Sequence, residues 1–187
     1  MMTWLAKLIF FRFMGWKIAG DFPKLNKFII AVVPHTRNLD FLVGVLARTV
    51  LSEEINFVGK KELIKIPFFG YLYKRAAITV DRSSLKSRLQ VYKRAQEVIL
   101  KGYSICIFPE KDYLQEKVLL NPFKKGAFKL AIEHKLPVLP IVFYDCKRKF
   151  PWHTEYGYLG SLRVKALKLV DTDGMTEKNI IPLSLKI

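Results

Sequence analysis

The sequence predicts an α/β fold: a mostly parallel mixed sheet flanked by helices, entered through an N-terminal interfacial helix. Three observations lead there. Short apolar runs rich in Ile and Val alternate with segments of helical period along the chain. No internal repeat, low-complexity tract or Pro/Gly/Ser linker interrupts that alternation. The 187 residues, 51% of them hydrophobic, suffice for one real core. A strand–helix–strand rhythm of this kind gives a sheet covered by helices on its faces.

Residues 1–20 read as the helix and residues 21–187 as the α/β domain. Trp4 to Trp16 holds Leu5, Leu8, Ile9, Phe10, Phe11, Phe13 and Met14, broken by Lys7 and Arg12. Those two charges point about 140° apart on an ideal helix, so the segment has no clean polar face. Long basic side chains snorkel, and aromatic rings favour the headgroup region, which predicts a monotopic helix lying at a membrane interface. A helix packed on the core is the competing reading. A signal peptide is disfavoured, because no small-residue cleavage site follows. No stretch reaches the roughly 18 consecutive apolar residues of a spanning helix.

Phe28 to Val33 is too short and too β-branched for a helix and predicts a buried strand, ended by Pro34. From Asp40 to Val50 the apolar spacing turns helical. Ile55–Val58 and Ala77–Val80 are the next strands. Ser84 can cap a helix carrying Leu85, Leu89, Tyr92, Val98 and Ile99, with Gly102 closing it. Tyr103–Phe108 follows as strand, Gly126–Lys135 as helix, and Pro137–Tyr144 and Arg163–Val170 as strands. Cys106 and Cys146 lie in apolar surroundings, the pattern of buried structural thiols in a reducing compartment. No metal-ligand spacing occurs. His134 and His153 read as surface residues.

The formal net charge of +16 gives the molecule a positive field. Between Gly59 and Lys101, eleven Lys or Arg face three acids. Such a field attracts anionic lipid, phosphorylated substrates, nucleic acid or an acidic partner. A basic single domain of this size could bind nucleic acid, but no zinc finger, RNA-binding aromatic motif or basic coiled coil accompanies the charge.

The segment Val33-Pro34-His35-Thr36-Arg37-Asn38-Leu39-Asp40 carries the candidate chemistry. His35 lies just past a strand and Asp40 opens a helix. The two side chains meet only if His35 sits in the turn and Asp40 in the first helical turn. The carboxylate would then accept from one imidazole nitrogen while the other faced substrate. A loop histidine beside a helix cap would give the same letters, so the pair alone is weak.

Further blocks follow in order. They are Gly59-Lys60-Lys61-Glu62-Leu63-Ile64-Lys65-Ile66-Pro67-Phe68-Phe69-Gly70 with Ile78-Thr79-Val80-Asp81-Arg82, then Phe108-Pro109-Glu110, then Leu136-Pro137-Val138-Leu139-Pro140-Ile141-Val142. With the His35-to-Asp40 block they make the chain resemble the lysophosphatidic-acid (1-acyl-sn-glycerol-3-phosphate) acyltransferase family of glycerophospholipid acyltransferases, across residues 29 to 145. The resemblance implies His35 as general base on a lysophospholipid hydroxyl and Asp40 as its orienting partner. It implies Glu110 accepting hydrogen bonds from glycerol, and Arg82, Lys60 and Lys61 holding phosphate. It implies no cofactor, an acyl-carrier-protein or acyl-CoA thioester as donor, and a peripheral or monotopic position on the cytoplasmic side of a membrane. Lys111-Asp112-Tyr113 stands where the family usually has Gly-Thr-Arg, so the family's phosphate-binding Arg is missing there. That departure leaves a different lysophospholipid or an aminolipid open as acceptor.

Overall fold

The computed structural model describes residues 4, 8, 12, 15–19, 27–36, 40, 44, 54–66, 69–81, 84–110, 118–149 and 161–187. Among these, seven strands form one sheet: β1 (Lys17–Ala19), β2 (Ile29–Val33), β3 (Ile55–Lys60), β4 (Ala77–Val80), β5 (Ser104–Ile107), β6 (Val138–Phe143) and β7 (Arg163–Ala166). Their order is β1-β7-β6-β2-β5-β3-β4. Every pairing is parallel except β6 with β7. The helices are α1 (Phe69–Ala76), α2 (Leu85–Leu100), α3 (Gly126–Glu133), α4 (Cys146–Lys149) and α5 (Ile180–Lys186), with short 3-10 turns at Lys61–Lys65 and Glu177–Asn179. The expected fold class holds.

β2 shows why its sequence is uniformly apolar. Ile30 and Val32 face a core with Phe57, Tyr73, Leu139 and Ile141. Ile29 and Ala31 face a second core with Ala95, Ile105, Phe128 and Val138. Alternate residues point to opposite faces, and both faces are covered, so no polar position survives. Burying each such side chain contributes about 1.5–3 kcal/mol.

Helix α2 begins as expected: the Ser84 side chain accepts from the Ser87 backbone N–H at 3.2 Å. Gly102 follows its end at φ 93°, a left-handed conformation that suits glycine. A second glycine is required by space. A Cβ on Gly70 would sit 1.9 Å from the Ile64 carbonyl oxygen, so only glycine lets α1 pack on the preceding 3-10 turn. In the other direction, Tyr73 of α1 donates its hydroxyl to the Lys60 carbonyl at 2.8 Å, tying the helix to the end of β3.

Three expectations need correction. Lys17–Ala19 pair with β7, so the sheet begins inside residues 1–20 and the boundary drawn at residue 20 falls too late. A three-residue edge strand is too short to leave a period in the sequence. The strand expected over Arg163–Val170 stops at Ala166, with Val170 making only an isolated bridge to Val138. His134 is half-buried, and its Nε2 is buried with no hydrogen-bond partner among the described residues. His153 lies outside the described residues. Of residues 1–14, Trp4, Leu8 and Arg12 are described; all three are helical and exposed. In the expected helix after Asp40, Asp40 and Gly44 are described, and both are helical. The expected buried thiols, Cys106 and Cys146, are both buried and free.

Candidate active site

Parallel strands put the ends of sequence-distant segments side by side. β2 lies between β5 and β6, with Ala31 level with Ile107 and Val33 level with Val142. The residues just past these strands, His35, Glu110 and Tyr144, therefore gather at one end of the sheet. The chain runs from β2 outward to β3 and β4, and after β5 it crosses to β6 on the far side. Sites form in such folds beyond the carboxyl ends of strands, where the winding direction switches.

At that end the Val33–Pro34 peptide is cis, and His35 follows it. His35 Nδ1 lies 3.1 Å from Asp40 Oδ2, with His35 only 7% exposed. The Thr36 backbone N–H donates to the same Oδ2 at 2.5 Å, and the Thr36 hydroxyl donates to Oδ1 at 2.7 Å. Several donors thus converge on one buried side chain. With Asp40 as the acceptor, the ring donates from Nδ1, which leaves Nε2 as its accepting nitrogen. Phe108 stacks on the imidazole with ring centroids 4.2 Å apart. The ring is thus fixed from its edge and its face.

Glu110 is 1% exposed, and its oxygens accept from two backbone N–H groups: Oε2 from His35 at 2.5 Å and Oε1 from Asn121 at 2.8 Å. Glu110 straps the His35 turn to the segment after β5, because its position past β5 is adjacent to the end of β2. Burial raises its pKa above the ordinary carboxylate value, and the two N–H donors oppose that shift. The folded chain therefore keeps this proton to higher pH than the unfolded chain. Stability from this group is fullest below the ordinary value and falls as pH rises through the raised one.

Sequence reasoning missed two members of the cluster. Thr36 supplies two of the donors on Asp40. Cys146, at the start of α4, has its thiol against Asp40; burial first, then the carboxylate's charge and hydrogen bond, push the thiol pKa up. A thiol held protonated is a donor here and not a nucleophile. The Thr36 contacts are local to the turn, whereas only the fold, which brings the end of β6 beside β2, reveals the Cys146 contact.

The phosphate candidates are spread further. Lys60 ends β3 and is half-buried. Lys61 lines a polar cavity of about 340 Å³ with Thr79, Asp81, Ser84, Lys86 and Arg94. Arg82 and Lys111 lie outside the described residues. Beside Pro34, an apolar groove of about 700 Å³ runs past Val33, Phe123, Phe143 and Leu185. Among the described residues no group of His, Cys, Asp and Glu is placed to hold a metal ion.

The sequence profile described as Acyltransferase matches residues 19–144, a span that contains His35, Thr36, Asp40, Phe108 and Glu110. The chain belongs to this acyltransferase family. It is 30% identical to the 1-acyl-sn-glycerol-3-phosphate acyltransferase of Haemophilus influenzae, over 97% of this chain and 74% of that protein. It is 28% identical to the Saccharomyces cerevisiae protein of the same name, over 91% of this chain. The chain spans only 56% of that yeast protein's length. The fold matches the crystal structure of the 1-acyl-sn-glycerophosphate (LPA) acyltransferase PlsC from Thermotoga maritima, with a TM-score of 0.75 at 20% identity. That match covers 99% of this chain and 74% of the other. Within the matched span, His35 and Glu110 lie just past the carboxyl ends of β2 and β5.

Proposed function

We propose that this chain moves a fatty acyl group from an acyl-carrier-protein or acyl-CoA thioester to the free hydroxyl of 1-acyl-glycerol-3-phosphate, giving phosphatidic acid. The observation that carries the reading is the Asp40–His35 pair, buried, strapped by Glu110 and set beside an apolar groove. His35 Nε2 takes the hydroxyl proton as the oxygen attacks the thioester carbonyl. The C–S bond then breaks, and the departing thiolate receives that proton from the imidazolium. Asp40 stabilises the charge that develops on the ring. The groove next to Pro34 suits an acyl chain. Purified protein with labelled acyl-CoA or acyl-carrier protein and a panel of lysolipids tests the assignment; no transfer to any lysolipid would overturn it.

Glu110 acts in this scheme by positioning His35. Glu110→Gln removes one acceptor from two backbone N–H groups and leaves one of them unpaired. The expected result is a kcat lowered about tenfold or more, with KM for the acceptor nearly unchanged. A raised acceptor KM with kcat preserved would return Glu110 to glycerol binding.

The phosphate is the least anchored part, because Lys111-Asp112-Tyr113 replaces Gly-Thr-Arg. Arg82 is the cation we assign to it, supported by its position within a matching block. Lys60 and Lys61 assist; Lys61 opens onto the cavity that also holds Asp81. A guanidinium grips two phosphate oxygens where Lys offers a point charge. Charge-assisted bonds contribute about 1.5–3 kcal/mol, so Arg82→Ala should cut activity on lysophosphatidate roughly ten- to hundredfold. An acceptor without phosphate should be affected far less. Equal loss on both would move the phosphate to Lys60, Lys61 or Lys111. The same replacement favours the second reading, a different lysophospholipid or an aminolipid as acceptor, and the lysolipid panel separates the two.

The membrane surface is a partner in this reading, met from the cytoplasmic side by residues 1–14 as an interfacial helix. Exposed Trp4 and Leu8, one helical turn apart, support it. Deleting residues 1–14 should lower retention on anionic vesicles about tenfold while the thermal transition of the sheet stays close to the parent's. Unchanged retention would place attachment elsewhere.

A further inference from the structure

The rim of the apolar groove carries its own exposed hydrophobic residues. Leu119 is 79% exposed, Leu185 82%, Tyr144 52% and Leu120 45%, and all four line the groove. They come from three separate stretches: the segment before α3, the end of β6, and helix α5. Their clustering is therefore a product of the fold and not of one apolar run. Lys147, itself on the groove wall, donates to the Val118 carbonyl at 2.9 Å and holds the first stretch in place. A contiguous apolar rim of this kind on an exposed face marks an interaction surface.

Charge indicates what it meets. Residues 118–125 and 180–187 contain no acid and include Lys124, Lys125 and Lys186, all exposed. Beside Tyr144, Lys147 and Arg148 accompany a single acid, Asp145, which is buried and paired with Arg163 at 2.8 Å. Protruding leucines ringed by cations match an anionic bilayer, where apolar side chains enter the acyl region and Lys or Arg meet the headgroups. The N-terminal segment arrives at the same end. β1 is parallel to β7, and β7 is antiparallel to β6, so β1 runs opposite to β2. Its first residue, Lys17, donates to the Leu162 carbonyl, and the next carbonyl, of Arg163, accepts from Tyr144 N–H. Gly15 and Trp16 thus meet the sheet beside the rim.

We propose that the rim formed by Leu119, Leu120, Tyr144 and Leu185 docks onto an anionic phospholipid surface, with the groove mouth opening into the bilayer beside His35. This rests on the acyltransferase reading only for why the mouth should face lipid; the docking itself is a separate property. It is distinct from the N-terminal segment, being carried by residues 119–120, 144 and 185.

The experiment uses the full chain and vesicles of phosphatidylglycerol and phosphatidylcholine in equal parts. The Leu119→Asp, Leu185→Asp double variant is compared with Leu89→Asp, Leu100→Asp, which alters two exposed leucines on α2. All four positions are exposed, so folding should survive, and near-UV circular dichroism verifies it. The rim pair should bind about ten- to hundredfold more weakly than the parent, and the α2 pair as the parent does. Equal binding by the rim pair overturns the proposal, as does an equal loss in both pairs. If the rim pair instead turns a dimeric parent into a monomer at unchanged vesicle binding, the occupant is a second copy and the proposal fails. Selective loss with acyl-carrier protein as donor, again at unchanged vesicle binding, assigns the rim to the carrier and equally overturns it. Rim-dependent vesicle binding by a chain that transfers to no lysolipid would sustain the docking and reject the acyltransferase reading.

Discussion

Replacing His35 with alanine should lower turnover about 10²–10⁴-fold, the span that loss of a general base usually produces. The variant keeps the backbone N–H that Glu110 accepts, so the strap between the His35 turn and the segment after β5 survives. It loses the stack on Phe108 and the contact to Asp40. Because His35 is buried, the change also lowers stability, by about 1–3 kcal/mol for a buried partner left short of a hydrogen bond. From sequence alone, a histidine in a turn would be removed at little cost; the burial says otherwise. Activity must therefore be read well below the variant's own melting temperature, with near-UV circular dichroism as the check on packing. Turnover within a few-fold of the parent, in a folded variant, would remove His35 from the chemistry.

What the sequence made legible was local or periodic. β2 and β4, the Ser84 cap and the Gly102 stop are written in short stretches, and the structure has them in place. α1 and α5 were not read. α1 places Tyr73 and Ala76 in the core three residues apart, but it is only eight residues long and follows directly on a 3-10 turn. α5 buries Ile180 and Leu183 while Leu185 stands exposed, so its apolar pattern is blurred. The Thr176–Asn179 capping box just before it was the available signal. In the site, His35 and Asp40 could be paired from the sequence because they share one short block. The backbone partners of Glu110 could not be read: they are 75 and 11 positions away in the chain, and the contact to His35 comes only from the adjacency of β2 and β5. Cys146 carries no motif, and the sequence could say only that it is buried.

Asp40→Asn is the sharper test of the pair, because it preserves shape while changing which groups can donate. Asp40 accepts from Thr36 N–H, Thr36 Oγ1 and the His35 edge, and it is fully buried. Asparagine has one accepting oxygen and one NH₂ donor in the same volume. His35 Nδ1 and the Thr36 backbone N–H share Oδ2, while the Thr36 hydroxyl is on Oδ1. If the amide oxygen takes the Oδ2 position it keeps both donors, and the NH₂ group faces the Thr36 hydroxyl, which can turn to accept; the pair then loses only the carboxylate's charge. If the NH₂ group takes that position, it faces the Thr36 backbone N–H, a buried donor left unpaired at about 1–3 kcal/mol. It also faces His35 Nδ1, so the imidazole shifts its proton to Nε2 and the base is removed from the side that reaches substrate. Turnover should fall about 10²–10⁴-fold with the wrong tautomer and by less where only the charge is lost, mostly in kcat. Nitrogen-15 chemical shifts of the His35 ring give a readout independent of activity: the parent should show the proton on Nδ1, the variant on Nε2 when the NH₂ group faces the ring. A variant with unchanged ring shifts and near-parent kcat would mean that Asp40 caps its helix and has no hand in setting the base.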